Sequence, residues 1–229
     1  MQKNLKERFK IYCKINNEID FVSNSLTINQ KIKESQEVIE NLEKHIIPVK
    51  YPNYMLKSFE MRDMIIQLQG FAIITDNFIK ELSYWIGNRK VLEVMSGCGS
   101  LTYNLIQKGI NIIATDDFTW EKDWNENKNY WTYIRNMDAI EAVKKYGKYT
   151  DIIIMSWPYM DDTAYRVLVE MRNQNPNCQM IYIGENEGGC TANDDFFETI
   201  KIINDITFDK IESSFQRFWG LNDHLYLVK

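Results

Sequence analysis

Residues that build metal sites and disulfide frameworks are scarce in this chain. Its 229 residues include four cysteines and two histidines, and no two cysteines stand in a CxxC pair. A zinc site needs clustered cysteine and histidine ligands, and a disulfide framework needs regularly spaced cysteines. The sequence therefore argues against a metal site, and it predicts reduced thiols in a cytoplasmic protein.

Long hydrophobic runs and an excess of positive charge are also missing. No apolar run approaches the ~18–20 residues of a membrane helix, and the charged N-terminus lacks the apolar core of a signal peptide. The net charge of −5 argues against an overall positive field that would bind DNA or RNA, although net charge does not exclude a local basic surface. We expect no membrane association, and a small-molecule substrate more than a nucleic acid.

Glycine and proline, at ten and four residues, are too few for an obvious flexible linker, while 45% of the residues are hydrophobic. We expect two parts, a helical N-terminal extension over 1–53 and a globular domain over 54–229. The extension is predicted because apolar residues from Ile28 to Ile46 recur at helical spacing. A lone helix of that length is marginal in water, so it needs a partner surface. A homodimer through these helices is one candidate.

From Lys90 onward, strand patterns alternate with helix patterns. Strands are predicted over 91–95, 111–115, 151–155 and 179–183, and helices over 101–108, 138–145, 162–173 and 194–204. Before them, helices are predicted over 54–68 and after a cap at Thr75. Two final strands, 208–218 and 224–228, are expected to pair as an antiparallel hairpin. The fold class is therefore α/β and Rossmann-like, with a mainly parallel sheet ending in that hairpin.

A glycine-punctuated loop follows the first of these strands. Gly97 and Gly99 permit a tight strand-to-helix turn and a close approach of the backbone to a ligand. The loop lacks the third glycine of a dinucleotide fingerprint, which disfavours a dehydrogenase. Glu93, before the loop, would face phosphates unfavourably but suits the ammonium group of an amino acid moiety. Asp116, about twenty residues later, is placed to accept ribose hydroxyls.

Two sets of segments resemble known protein families. The segment VLEVMSGCGSLTYNLIQKGINIIATD resembles the cofactor half of class I S-adenosylmethionine-dependent methyltransferases. The segments IIIMSWPYMDD, MIYIGENEGGCTANDDFFE and WGLNDHLYLV resemble a poorly characterised methyltransferase-like family with WPPY-type and GExEGGCT segments. Together they cover about residues 57–229. The chain departs from the pattern at Met95, which replaces a glycine, and at Trp157, which replaces a proline.

S-adenosylmethionine is the cofactor that these features imply. Asp138 and Ala139 follow the third strand region, where they suit the adenine amino group, although Asp138 fits a helix N-cap nearly as well. The expected cofactor contacts are Glu93, Met95, Gly97, Gly99, Asp116, Asp138, Ala139 and Ser156.

The turn from Ser156 to Tyr159 is similar to the (Asp/Asn/Ser)-Pro-Pro-(Tyr/Phe/Trp) signature of amino-group methyltransferases. In that family an oxygen and a carbonyl hold the target nitrogen while an aromatic ring stacks on it. Glu185, after the next strand, is a candidate base, or else a partner for an arginine such as Arg217. The expected catalytic residues are Ser156, Pro158, Tyr159 and Glu185, and the expected substrate contacts are Trp157, Gly188, Gly189, Thr191 and His224.

These features predict methyl transfer from S-adenosylmethionine to a small-molecule acceptor, with nitrogen as one candidate acceptor atom. Two alternatives stay open. One is methylation of a nucleic-acid amino group, which the turn at Ser156 favours. The other is a protein that binds S-adenosylmethionine without transferring its methyl group.

Overall fold

The structure, a computed structural model, describes residues 66, 69–121, 130–215, 217 and 221–229. The predicted N-terminal extension, with its apolar stripe and its candidate dimer contacts, lies outside these residues. Most of the helix predicted over 54–68 also lies outside them. The described part of the chain forms one sheet covered by helices on both faces.

Six strands form the sheet in the order β3-β2-β1-β4-β5-β6. They are β1 Val91–Val94, β2 Ile112–Asp116, β3 Arg135–Asn136, β4 Ile152–Ser156, β5 Gln179–Glu185 and β6 Asp223–Val228. The first five are parallel, and β6 pairs antiparallel with β5. The predicted Rossmann-like class, mainly parallel with an antiparallel last pair, is therefore confirmed.

The described helices are α1 Asp76–Ile86, α2 Ser100–Gln107, α3 Ala139–Tyr146, α4 Thr163–Gln174, α5 Asp194–Thr199 and α6 Ile206–Glu212, with a short 3-10 turn at Gly147–Tyr149. Thr75 caps α1 as predicted, because its hydroxyl accepts a hydrogen bond from the backbone of Phe78 at 3.1 Å. None of the described helices is long and apolar enough to cross a membrane.

Alternate residues of the central strands pack into two hydrophobic cores, one on each face of the sheet. Ile152 and Ile154 belong to the core beneath α1, α2 and α6, whereas Ile153 and Met155 belong to the core beneath α3, α4 and α5. All four side chains are fully buried. Because both faces of β4 are covered, its sequence is apolar throughout rather than alternating. The buried sheet fixes the strand ends from which the site is built.

The strand predicted over 208–218 is wrong. Residues Ile206–Glu212 form α6, whose N-cap, Asp205, accepts hydrogen bonds from the backbones of Thr207 and Phe208. Phe208 and Ile211, three residues apart, are both buried, and this is a helical spacing. The partner of β6 is therefore β5. Beyond it, Ile202 forms a single antiparallel bridge with Val228.

The helix predicted over 194–204 is also shorter in the structure and ends at Thr199. Its N-cap is Asn193, whose side chain accepts from the backbone of Phe196 at 3.2 Å.

Candidate cofactor and acceptor site

The carboxyl ends of the parallel strands meet at one edge of the sheet, and the loops after β1, β2, β4 and β5 lie there. In open α/β sheets this edge is where ligands bind. Backbone strain is concentrated in these loops. Non-glycine residues with positive φ in the described chain are Met95 (53°), Phe118 (60°), Trp157 (51°) and Ala192 (54°). Met95 thus has the left-handed conformation that favours glycine, at the position where the sequence departs from the glycine of the pattern that it resembles.

Glu93, the acid before the glycine loop, is buried in β1. One of its oxygens, Oε2, accepts hydrogen bonds from the backbone N–H and the hydroxyl of Thr102. Burial outweighs these bonds and raises the pKa of Glu93 to about 8, with a further contribution from the negative charge of Asp116. At neutral pH this carboxyl group is therefore mainly protonated, and a cation placed beside it would favour its ionised form.

Asp116, at the end of β2, reaches back to the glycine loop. Its Oδ2 accepts from the backbone of Gly97 at 2.7 Å, while Oδ1 accepts from the backbone of Phe118 at 2.7 Å and the indole Nε1 of Trp120 at 3.0 Å. Burial, the largest influence, raises the pKa of Asp116 to about 6 despite these bonds. The structure therefore brings Glu93, Gly97 and Asp116 together, and their contact with a cofactor stays a prediction.

The N-terminus of α2 is occupied by the protein's own acid. Gly99 is the N-cap of α2, and Thr102, in its first turn, gives its backbone N–H to Glu93. The free N–H groups of a helix N-terminus normally attract anions such as phosphate. Here two amides of the loop and helix, those of Gly97 and Thr102, already bind carboxyl groups.

A segment that the sequence did not single out covers the glycine loop. The backbone of Trp131 donates to the carbonyl of Cys98 at 2.9 Å. A Cβ atom on Gly99 would lie 3.0 Å from Ile134 and 3.1 Å from Thr132, so this glycine is needed for the close approach. The buried Trp131 ring lies 5.5 Å from that of Tyr103. Aromatic enrichment in residues 130–134 was the available signal.

The predicted adenine contacts lie at the start of α3. Asp138 is exposed and caps this helix, since its Oδ1 accepts from the backbones of Ile140 and Glu141 at 2.9 and 3.1 Å. Ala139, the first helical residue, is buried. The capping alternative for Asp138 is therefore realised, and contact with adenine stays a prediction.

The turn after β4 presents side chains of very different exposure. Ser156 is half-buried at the strand end, and Pro158 is buried. Trp157 donates its backbone N–H to the carbonyl of Ile183 at 2.7 Å, and its ring stacks on Phe71 with centroids 5.0 Å apart. Tyr159, by contrast, is 46% exposed. Trp157 therefore packs beside the core beneath α1, whereas Tyr159 is the exposed aromatic residue of this turn.

Glu185 organises the loop after β5. Its buried carboxylate accepts from the backbone of Cys190 at 2.7 Å through Oε2 and from the backbone of Asn222 at 3.2 Å through Oε1. These two bonds join the loop to the start of β6. A carboxylate held in this way is a structural element, and the predicted role of Glu185 as a base stays untested.

Thr191 is buried inside the same loop. Its hydroxyl accepts from the backbone of Glu185 at 2.8 Å and lies 2.6 Å from the hydroxyl of Tyr182. This placement speaks against the predicted substrate contact of Thr191. Gly188 is exposed, with a φ of 80°, whereas a Cβ atom on Gly189 would lie 2.5 Å from that of Glu185. Gly188 is thus the better placed of the two glycines to meet a ligand.

His224 lies on β6 beside the loop after β5. Its ring stacks on Tyr226 with centroids 5.5 Å apart, and its Nδ1 lies 3.8 Å from a carboxylate oxygen of Glu212. The hydroxyl of Tyr226 donates to the side chain of Asn186. His224 therefore belongs to an aromatic stack beside the loop after β5, and its contact with a substrate stays a prediction.

The described loops on this edge are acidic. Residues 95–99, 117–121, 157–162 and 186–193 contain five acids and no lysine or arginine. The acids are Asp117, Glu121, Asp161, Asp162 and Glu187. Among the residues that the structure describes, no group of three or more histidine, cysteine, aspartate or glutamate side chains is placed to hold a metal ion.

No protein-family model and no curated protein matches the sequence. Among solved structures, the chain is similar to an S-adenosylmethionine-dependent methyltransferase from Archaeoglobus fulgidus, with a TM-score of 0.45, 16% identity and coverage of 77% of this chain and 99% of that one. The match to a mitomycin 7-O-methyltransferase has a TM-score of 0.44 and 10% identity, and it covers 74% of this chain. This chain spans only 57% of that enzyme.

A third solved structure, magnesium protoporphyrin IX methyltransferase from Synechocystis PCC 6803 with S-adenosylmethionine bound, gives a TM-score of 0.41 at 10% identity. It covers 90% of this chain and 100% of that one. The fold assigned above rests on the strand order of this chain.

Proposed function

We propose that the chain binds S-adenosylmethionine at the glycine loop and transfers its methyl group to a small-molecule acceptor. The observation that carries this proposal is the pair of buried carboxyl groups flanking the loop, Glu93 in β1 and Asp116 at the end of β2. The ammonium group of the methionine moiety is a suitable partner for Glu93, and the ribose hydroxyls suit Asp116. Asp138 and Ala139 then remain candidates for the adenine.

A dinucleotide is disfavoured by the same contacts. Its pyrophosphate would need the amides of the loop and the N-terminus of α2. The amides of Gly97 and Thr102 already bind Asp116 and Glu93, and the negative charge of Asp116 would repel the phosphates. A cationic sulfonium with an ammonium group meets no such repulsion.

The acceptor site is proposed at Ser156, Pro158 and Tyr159, with Gly188 on the neighbouring loop. Because the sulfonium is already activated, holding the acceptor in line with the methyl group supplies much of the catalysis. Ser156 offers a hydroxyl oxygen at the strand end, and the half-exposed ring of Tyr159 offers a stacking face. An amine nitrogen is the acceptor atom that this combination suits.

A small acceptor is favoured over a nucleic acid because of charge. Nucleic-acid binding relies on lysine and arginine contacts to phosphates. The described loops around the site carry five acids and no lysine or arginine. A polyanion would therefore be repelled at this edge, whereas an amine, neutral or protonated, would not.

Product analysis tests the proposal. The full chain is incubated with S-adenosylmethionine and a panel of amines, and S-adenosylhomocysteine is quantified by mass spectrometry. We expect turnover with at least one amine, and its loss in Asp116→Asn, while Asp117→Asn serves as the matched exposed control. Binding of the cofactor without turnover on any acceptor would instead favour the non-catalytic alternative.

A further inference from the structure

The carboxylate of Asp116 is already crowded in this structure. Three donors reach it, the backbone N–H groups of Gly97 and Phe118 and the indole Nε1–H of Trp120. A carboxylate offers about four acceptor positions to hydrogen-bond donors. About one position therefore remains, and the side chain itself is only 4% exposed.

A ribose presents two neighbouring hydroxyl groups, so both cannot donate to Asp116 while all three protein donors stay. Two of these donors are backbone groups in tight turns. Gly97 has a φ of 55°, and Phe118, two residues after Asp116, has a φ of 60°. Moving either would require the backbone to refold. The third donor sits on the half-buried side chain of Trp120, which can leave by rotation about its side-chain torsions.

We propose that the indole of Trp120 holds the place of one ribose hydroxyl on Asp116, and that the cofactor displaces it on binding. This inference rests on the proposed function and adds Trp120 to it as a residue that tunes cofactor affinity. The exchange gives up one hydrogen bond for each one gained at this position. Removal of the indole donor should therefore strengthen binding.

Calorimetry with S-adenosylhomocysteine tests the exchange in the full chain. We expect Trp120→Phe to lower the Kd by about threefold to tenfold, the scale of one net hydrogen bond. Trp85→Phe is the matched control, because the indole of Trp85 also donates to a carboxylate, that of Asp205, at 3.2 Å. Trp85 lies at the end of α1, away from the glycine loop. The Trp85→Phe variant should therefore bind S-adenosylhomocysteine with the Kd of wild type.

A second readout uses the indole N–H resonances of the wild-type protein. The Trp120 signal, assigned by its absence from Trp120→Phe and from Trp120→Tyr, should shift when S-adenosylhomocysteine is added, while the Trp85 signal stays. An unshifted Trp120 signal, an unchanged Kd or a raised Kd in Trp120→Phe would overturn the exchange. If wild type does not bind S-adenosylhomocysteine, the proposed function fails first, and the exchange falls with it.

Discussion

Replacing Glu93 by glutamine should stabilise the protein relative to wild type, and this gain should grow as the pH rises. Glu93 has a pKa of about 8 in the folded chain, mainly because burial penalises its charge, whereas an exposed glutamate has an ordinary pKa of 4.5. Between these pH values the folded state holds a proton that the unfolded state has released. Stability is therefore lost as the pH rises from about 4.5 to about 8. Glutamine, which carries no charge, should remove this loss and can still accept from Thr102.

The size of the effect follows from the pKa. Between the ordinary pKa of 4.5 and pH 7 lie about 2.5 pH units, each worth roughly 1.4 kcal/mol. The burial of Glu93 therefore lowers the free energy of unfolding of wild type by about 3 kcal/mol at pH 7. Urea unfolding of wild type and Glu93→Gln should therefore show curves that diverge from pH 5 to pH 8. Asp117→Asn, an exposed acid after the same sheet edge, controls for the change in net charge. A stability difference that is equal at pH 5 and pH 8 would refute the reasoning.

Three further predictions concern the loops. Gly99→Ala should destabilise the fold by about 1–3 kcal/mol in urea, because φ is +73° and Ile134 lies 3.0 Å from the added Cβ. Gly97→Ala, with φ +55° and open space, should cost less, and equal losses would contradict the packing argument. Tyr159→Ala should lower turnover without changing cofactor Kd, and a parallel loss of binding would make this turn a wall of the cofactor pocket. Asn193→Ala should cost about 1 kcal/mol of stability by removing the cap of α5, and no loss in thermal unfolding would contradict the assigned cap.

The sequence sufficed for the parts of the fold in which local pattern and burial agree. The apolar run at β4 and the acids at Glu93 and Asp116 occupy the predicted strand positions, because a parallel sheet aligns its strand ends. The strand predicted over 208–218 failed because apolar residues in that segment do not alternate with polar ones, as a half-buried strand requires. Phe208 and Ile211 are instead spaced for a helix, which Asp205 caps.

The contacts of the site were less predictable than its location. The sequence gives no sign that Glu185 ties its loop to Asn222, since these residues are 37 apart. The approach of residues 130–134 to Gly99 also depends on tertiary packing across the sheet edge. Local spacing therefore locates the acids, whereas the partners of each acid are decided by loops that meet only in the folded chain.

Calorimetric titration of the full chain with S-adenosylmethionine at pH 7, in two buffers of different ionisation enthalpy, tests the central claim most directly. Saturable binding should release a proton, since the arriving ammonium group ionises Glu93, whose pKa is about 8. Glu93→Gln should weaken binding and abolish this proton release. Saturable binding of NAD, with no heat from S-adenosylmethionine in either buffer, would contradict the claim.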